Sequence, residues 1–221
     1  MNRRALLWAA PALALAGAAA AQDHHGGSDS HGYSGLEPGD LGGPFTLRDT
    51  SGAVFTEANL RGAWTLLYFG YAACRSSCSA AIPTLADSVD LLQARRLPAR
   101  AVFVDIDAAP EPIRMRSQAS ASHGHHGGHA RAEEALTQMA AQFRTITFLT
   151  GSRAQLRQAK IAFRVRSNHV PARTDLGESG HSINHTSAIY VIDPAGAVVG
   201  YRLHNITPAD LAAFVAAQAV S

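Results

Sequence analysis

Apolar positions along this chain fall into short runs of two kinds. Trp64 to Phe69, Ala101 to Val104 and Ile146 to Leu149 are nearly continuous apolar stretches bounded by turn formers, the pattern of strands covered on both faces. Between them the spacing becomes helical, over Cys78 to Arg96, Glu133 to Phe143 and Ser152 to Ala162. In the second of these, Leu136, Met139 and Phe143 share one face at i, i+3 and i+7. Two hairpins flank the alternation. Phe45-Thr46-Leu47 faces Val54-Phe55 across Asp49-Thr50-Ser51-Gly52, and Ser187 to Ile192 faces Val198 to Leu203 across Asp193-Pro194-Ala195-Gly196. Thr207 and Pro208 then supply an N-cap and a first-turn proline for a closing helix.

The polar stretches set the boundaries. Gln22 to Gly43 is rich in Gly, Ser, His and Asp and has almost nothing to bury, which predicts a flexible leader ahead of a folded domain over 44–221. Glu111 to Met115 has the makings of a helix start. Ser120 to Gly128 is a His-rich insert that cannot pack a core, and Ser167 to Ser182 reads as a polar loop. Strands separated by helices, then a hairpin and a helix, predict an α/β sandwich of the thioredoxin type with an N-terminal β-hairpin.

Ahead of the leader, Arg3 and Arg4 precede an apolar stretch that ends in Ala19-Ala20-Ala21, the layout of an export signal over 1–21 cleaved after Ala21. The alternative is a retained membrane tether, because the 17 residues from Ala5 to Ala21 approach the length that spans a bilayer. Arg3-Arg4 also fits a twin-arginine signal. Either way the domain is expected in the periplasm. Removing the signal lowers the 19 Lys and Arg to 17, equal to the 17 Asp and Glu, and a neutral domain argues against nucleic-acid binding. With 47% hydrophobic residues the remaining chain can bury one sizeable core, and it is expected to be a monomer.

The chain has two cysteines, Cys74 and Cys78, and they follow the Trp64 to Tyr71 run. If the second opens a helix, their Cα atoms lie one turn and roughly 6 Å apart, suited to a disulfide or to gripping one soft metal ion. A strand-to-helix junction also offers unpaired amides and a helix dipole that favour thiolate. Outside the cytosol such a pair drifts to a disulfide unless a thiol reductant or a metal holds it, and a bridge this local would constrain little chain.

Tyr68-Phe69-Gly70-Tyr71-Ala72-Ala73-Cys74-Arg75-Ser76-Ser77-Cys78 resembles the signature of the SCO/SenC family of exported copper-binding thioredoxin-like proteins. His185-Thr186-Ser187-Ala188-Ile189-Tyr190-Val191-Ile192-Asp193-Pro194 resembles that family's histidine segment. Further echoes are Phe45-Thr46-Leu47 with Asp49 and Gly52, and Leu149-Thr150-Gly151. The resemblance covers about Gly43 to Ser221. It implies that Cys74, Cys78 and His185 bind one copper ion, Cu(I) or Cu(II), and that the protein delivers it to a cuproprotein such as cytochrome c oxidase subunit II. Thiolates suit Cu(I) and imidazole serves either state, and three ligands leave a position open for handover. The chain departs from the family pattern at Arg75 and Ser79, where proline commonly follows each cysteine, at Asp105-Ile106-Asp107, and at Asn184, where aspartate is common. These mark a divergent member.

Two other functions fit the same residues. A thiol:disulfide oxidoreductase would use Cys74 as nucleophile and Cys78 to resolve the mixed disulfide, keeping a partner's copper-binding cysteines reduced, although C-x-x-C is the usual spacing for that chemistry. A redox-inert module would only bind a partner. His181 reads as a surface residue of the polar loop. His24, His25 and His31 in the leader and His123, His125, His126 and His129 in the insert are either weak recruiters of copper or zinc or solvated low-complexity chain. Asp105 and Asp107 either orient the site through hydrogen bonds or simply begin a loop.

Overall fold

Every residue of the strand Trp64–Gly70 (β3) is buried, as its unbroken apolar run requires, and the strand is an inner one, fifth in a seven-stranded sheet. The computed structural model describes residues 37–72, 74, 77–107, 126–171 and 181–220, all within the unit His31–Ser221. The proposed signal, most of the leader and the bulk of the His-rich insert lie outside the described residues, as do the side chains of 126–133.

The opening hairpin pairs Thr46–Asp49 (β1) with Val54–Thr56 (β2), Leu47 opposite Phe55. Helix Ser77–Ala94 (α1) crosses from β3 to the parallel strand Ala99–Asp105 (β4), and His126–Gln142 (α2) precedes the next parallel strand, Ile146–Thr150 (β5). Arg153–Ala162 (α3) follows, its N-cap Ser152 accepting from the Gln155 amide in a capping box. Two short strands, Ser167–Pro171 (β6) and His181–His185 (β7), pair with each other outside the main sheet. Ala188–Ile192 (β8) runs antiparallel to β3, Val198–Leu203 (β9) covers its other side, and Pro208–Gln218 (α4) closes the chain from the predicted Thr207 cap. The sheet order is β2-β1-β5-β4-β3-β8-β9.

Side-chain alternation along β3 and β4 divides the core. Leu67, Phe69, Val102 and Val104 face α3, where Leu156, Ala159 and Phe163 meet them. The Tyr190 hydroxyl donates to the Phe163 carbonyl at 2.8 Å and fastens the end of α3 to the sheet. Leu66, Tyr68 and Phe103 face the opposite way, against Leu85, Val89 and Leu92 of α1, Leu211 and Val215 of α4, and Leu136 of α2. The aromatic pair Phe103 and Phe148, with centroids 5.4 Å apart, carries this layer across to β5.

Three expectations change. The polar stretch after α3 is not all loop: Ser167 to Pro171 and His181 to His185 form the β6–β7 ribbon, so His181 belongs to a strand. Short polar segments with little apolar alternation give no strand signal, yet two of them zip together once the chain reverses. The helix expected from Glu133 begins at His126 and takes in Gly127 and Gly128, because the strong helix formers from Ala130 onward let it propagate toward its N-terminus. Packing also begins ahead of Pro44. Leu41 is buried, and the Gly42 amide donates to the Ala162 carbonyl at 2.9 Å.

Candidate metal centre

The topology gathers one edge of the sheet. β3 and β4 end there, β8 begins there, and β9 ends there, so the cysteine segment, the Asp105 turn, the segment after His185 and His204 share the end where open α/β sheets bind ligands. At the end of β3 the Gly70 carbonyl accepts the Ile106 amide at 2.7 Å, and the Cys74 amide then donates to the Tyr71 carbonyl at 3.0 Å, a tight turn that presents the first cysteine. α1 opens at Ser77, which puts Cys78 in its first turn. Pro83, inside α1, gives no amide hydrogen to the carbonyl of Ser79.

Cys74 is half-buried and Cys78 buried, and both are free thiols. The Cys78 thiol donates to the Cys74 sulfur; this bond first, then burial and the neighbouring Cys74 charge, push its pKa well up. The Tyr71 amide and the Tyr68 hydroxyl act the other way, favouring the Cys78 thiolate, and are outweighed. The helix start was expected to favour thiolate. For Cys78 the opposite holds, since a first-turn position counts for less than a dry site beside another sulfur.

His185 stands at the base of the β6–β7 ribbon, opposite Ser167. The next residue locks that base: the Thr186 amide donates to the Arg166 carbonyl at 2.9 Å, and the Thr186 hydroxyl oxygen accepts the Arg166 amide at 3.0 Å. The imidazole Nδ1 lies 3.1 Å from the Thr186 carbonyl. A carbonyl only accepts, so this contact puts a hydrogen on Nδ1, and in a neutral ring Nε2 is then the nitrogen that carries the lone pair. The ring meets Tyr68 and Tyr71 edge-on, with centroids 6.0 and 6.1 Å away. Tyr68 therefore touches both His185 and Cys78.

The three side chains do not converge on a single point. Among the described residues no three His, Cys, Asp or Glu side chains are close enough to hold a metal ion. His185 lines a small cavity of about 180 Å3 with Arg166, Asn168, Asn184 and Thr186, while both sulfurs line another of about 360 Å3 with Met139, Ile82 and Phe143 among its walls. Tyr68 packs edge-on against the imidazole and shares the buried cluster that holds Cys78.

Asp105, 2% exposed, accepts the Asp107 amide at 2.9 Å and also the amide of Ala72, so its carboxyl ties the cysteine turn to the end of β4. Burial, with Asp107 adding its charge, pushes the Asp105 pKa up to about 7. The carboxyl thus both starts the turn after β4 and fastens Ala72, two residues ahead of Cys74. Two side chains at this edge escaped sequence reasoning. His204 follows β9, gives its amide to the Ser187 carbonyl at 3.0 Å, and has a buried Nδ1 with no partner among the described residues. Met139 was absorbed into an apolar helix face; the structure puts it half-buried at the cavity beside both cysteines. His181 pairs with Pro171 in the ribbon, and its side chain is outside the described residues.

Residues 34–219 match the sequence model of SCO1/SenC. The chain belongs to the SCO1/SenC family. Over 176 residues this family member is 23% identical to an SCO2-like protein of Rickettsia conorii, covering 79% of its own length and 75% of the relative. Over 162 residues it is 28% identical to the human mitochondrial protein SCO2 homolog, covering 72% of its own length and about half, 52%, of the human chain. The crystal structure of Arabidopsis thaliana ScoI with copper bound superposes with a TM-score of 0.64 at 23% identity, over 81% of this chain and 98% of that one. The α/β arrangement is thus the thioredoxin-like Sco fold, as expected from the order of strands and helices.

Proposed function

We propose that the protein is an exported copper chaperone that holds one copper ion through the Cys74 and Cys78 sulfurs with His185 as third donor, and passes it by ligand exchange to a cuproprotein such as cytochrome c oxidase subunit II. The observation that carries this reading is the contact of Tyr68 with both Cys78 and His185 at the edge of the sheet, with Nε2 as the lone-pair nitrogen of the neutral His185 ring. Family membership and the likeness to a Sco protein solved with copper support it. The donors fit the cargo: two sulfurs suit Cu(I), an imidazole suits either state, and thiols that already share one proton need little rearrangement to share a metal. Ligation by His185 requires the ring to close the remaining gap past Tyr68. The signal over 1–21, the leader over 22–43 and the periplasmic setting complete the proposal.

Titrating the reduced protein with copper, beside Cys74→Ser, Cys78→Ser and His185→Ala, tests it. The expected result is one tightly bound ion whose thiolate-to-copper absorption is lost with either cysteine and weakened with the histidine. Tight binding that survives loss of all three would transfer the role to the histidine tracts and overturn the reading.

A second reading rests on the unequal exposure of the sulfurs. Half-buried Cys74 beside a buried, protonated Cys78 is the order of a nucleophile and its resolving partner, as a thiol:disulfide oxidoreductase needs. His185→Ala separates the two, because it leaves disulfide exchange intact while weakening copper binding.

A further inference from the structure

The cavity of about 360 Å3 that both sulfurs share is lined on its α2 side by Met139, and by Gln142 and Phe143 beyond it. We propose that Cys74, Cys78 and the Met139 thioether form an all-sulfur site for Cu(I), distinct from the set completed by His185. The proposal deepens the reading above and rests on the two cysteines being copper donors. Three observations carry it. His185 lines a different cavity, so among the residues that line one cavity with both cysteines, which also include Ser79 and Gln142, the soft donor is Met139. Thioether and thiolate are both soft, and soft sulfur ligands select Cu(I), whereas imidazole also serves Cu(II). Met139 also leaves its gap unfilled. A methionine at an irregular core position ordinarily closes the space around it, yet here Leu136, one turn earlier, is buried while Met139 borders an opening of ligand size. The cavity is larger than one ion needs, which leaves room for an incoming donor from the molecule that gives or takes the metal.

The test compares wild type with Met139→Leu, a volume-conserving change that spares the fold. Cu(I) affinity is read by competition with a chromogenic Cu(I) chelator, and the copper neighbours by X-ray absorption. The expected result is a Cu(I) affinity lower by about tenfold in Met139→Leu with Cu(II) absorption unchanged, and the reverse pattern in His185→Ala. In protein labelled with selenomethionine, a copper–selenium distance should be present and should vanish with Met139→Leu. Cysteine-dependent Cu(I) binding that is indifferent to Met139→Leu, with no copper–selenium distance, overturns the all-sulfur site and leaves the chaperone reading standing. Cu(I) binding indifferent to Cys74→Ser and Cys78→Ser removes both.

Discussion

A β-carbon on Gly70 would stand 2.7 Å from the Cys78 sulfur and 2.9 Å from two carbons of the Phe103 ring, so the end of β3 is bare where the second cysteine packs. Gly70→Ala must displace a short thiol side chain or a buried ring, and neither has slack. The expected cost is about 1–3 kcal/mol of stability, as for other overpacked cores, with weaker copper binding because the start of α1 is pushed off the strand. Chemical denaturation and copper titration of the same variant measure the two effects; wild-type values in both would show that the contact has no importance.

Tyr68→Phe removes a hydroxyl that favours the Cys78 thiolate. Alkylation of Cys78 should slow at a fixed alkaline pH, because the variant loses the group that favours the thiolate. Copper affinity should fall in the same proportion, while the edge-on contact of the ring with His185 is kept. Mass spectrometry of alkylated peptides reads the first quantity site by site.

Because Cys78 holds its proton far above neutral pH, copper bound by both sulfurs must displace that proton. Apparent copper affinity should therefore climb about tenfold per pH unit through the neutral range for one displaced proton. An affinity that stays level between pH 6 and 8 would mean that Cys78 is not a thiolate ligand.

Asp105 gives the apo protein an unusual pH dependence. Its carboxyl titrates near 7 when folded against 3.8 as the ordinary value, so between those values the native state binds more protons than the unfolded chain. The stability it lends is fully present below pH 3.8 and is lost as pH rises through 7, with a ceiling of roughly 4 kcal/mol. Denaturation midpoints should fall from pH 5 to pH 8 in wild type, and Asp105→Asn should flatten that slope. Equal slopes in the two proteins would refute the assignment.

The sheet was legible because β3, β4 and β5 are long apolar runs whose burial leaves little choice of structure, and the hairpins because Asp49 to Gly52 and Asp193 to Gly196 carry their own turn chemistry. The β6–β7 ribbon was not, since His181-Ser182-Ile183-Asn184-His185 offers one buried apolar side chain, Ile183, and a single apolar position gives no alternation to read. At the site, the two cysteines and His185 stood out by residue type and by resemblance to a family. Met139 did not, because the i, i+3, i+7 face with Leu136 and Phe143 accounts for an apolar side chain without any chemistry. His204 emerges only when β9 is known to end beside the start of β8, a fact of pairing rather than of composition.

The base that carries His185 belongs to a two-stranded arm, whereas both thiols are rooted in the main fold. Ile183 of that arm is nevertheless buried in the same core as Phe69 and Tyr71, so the arm is anchored to the interior one side chain ahead of Asn184 and His185. Under the proposed copper reading, one ion would then be reached from two parts of the molecule, the sulfurs from the main sheet and the ring from the ribbon, and the tie between Arg166 and Thr186 would set how the ring is presented.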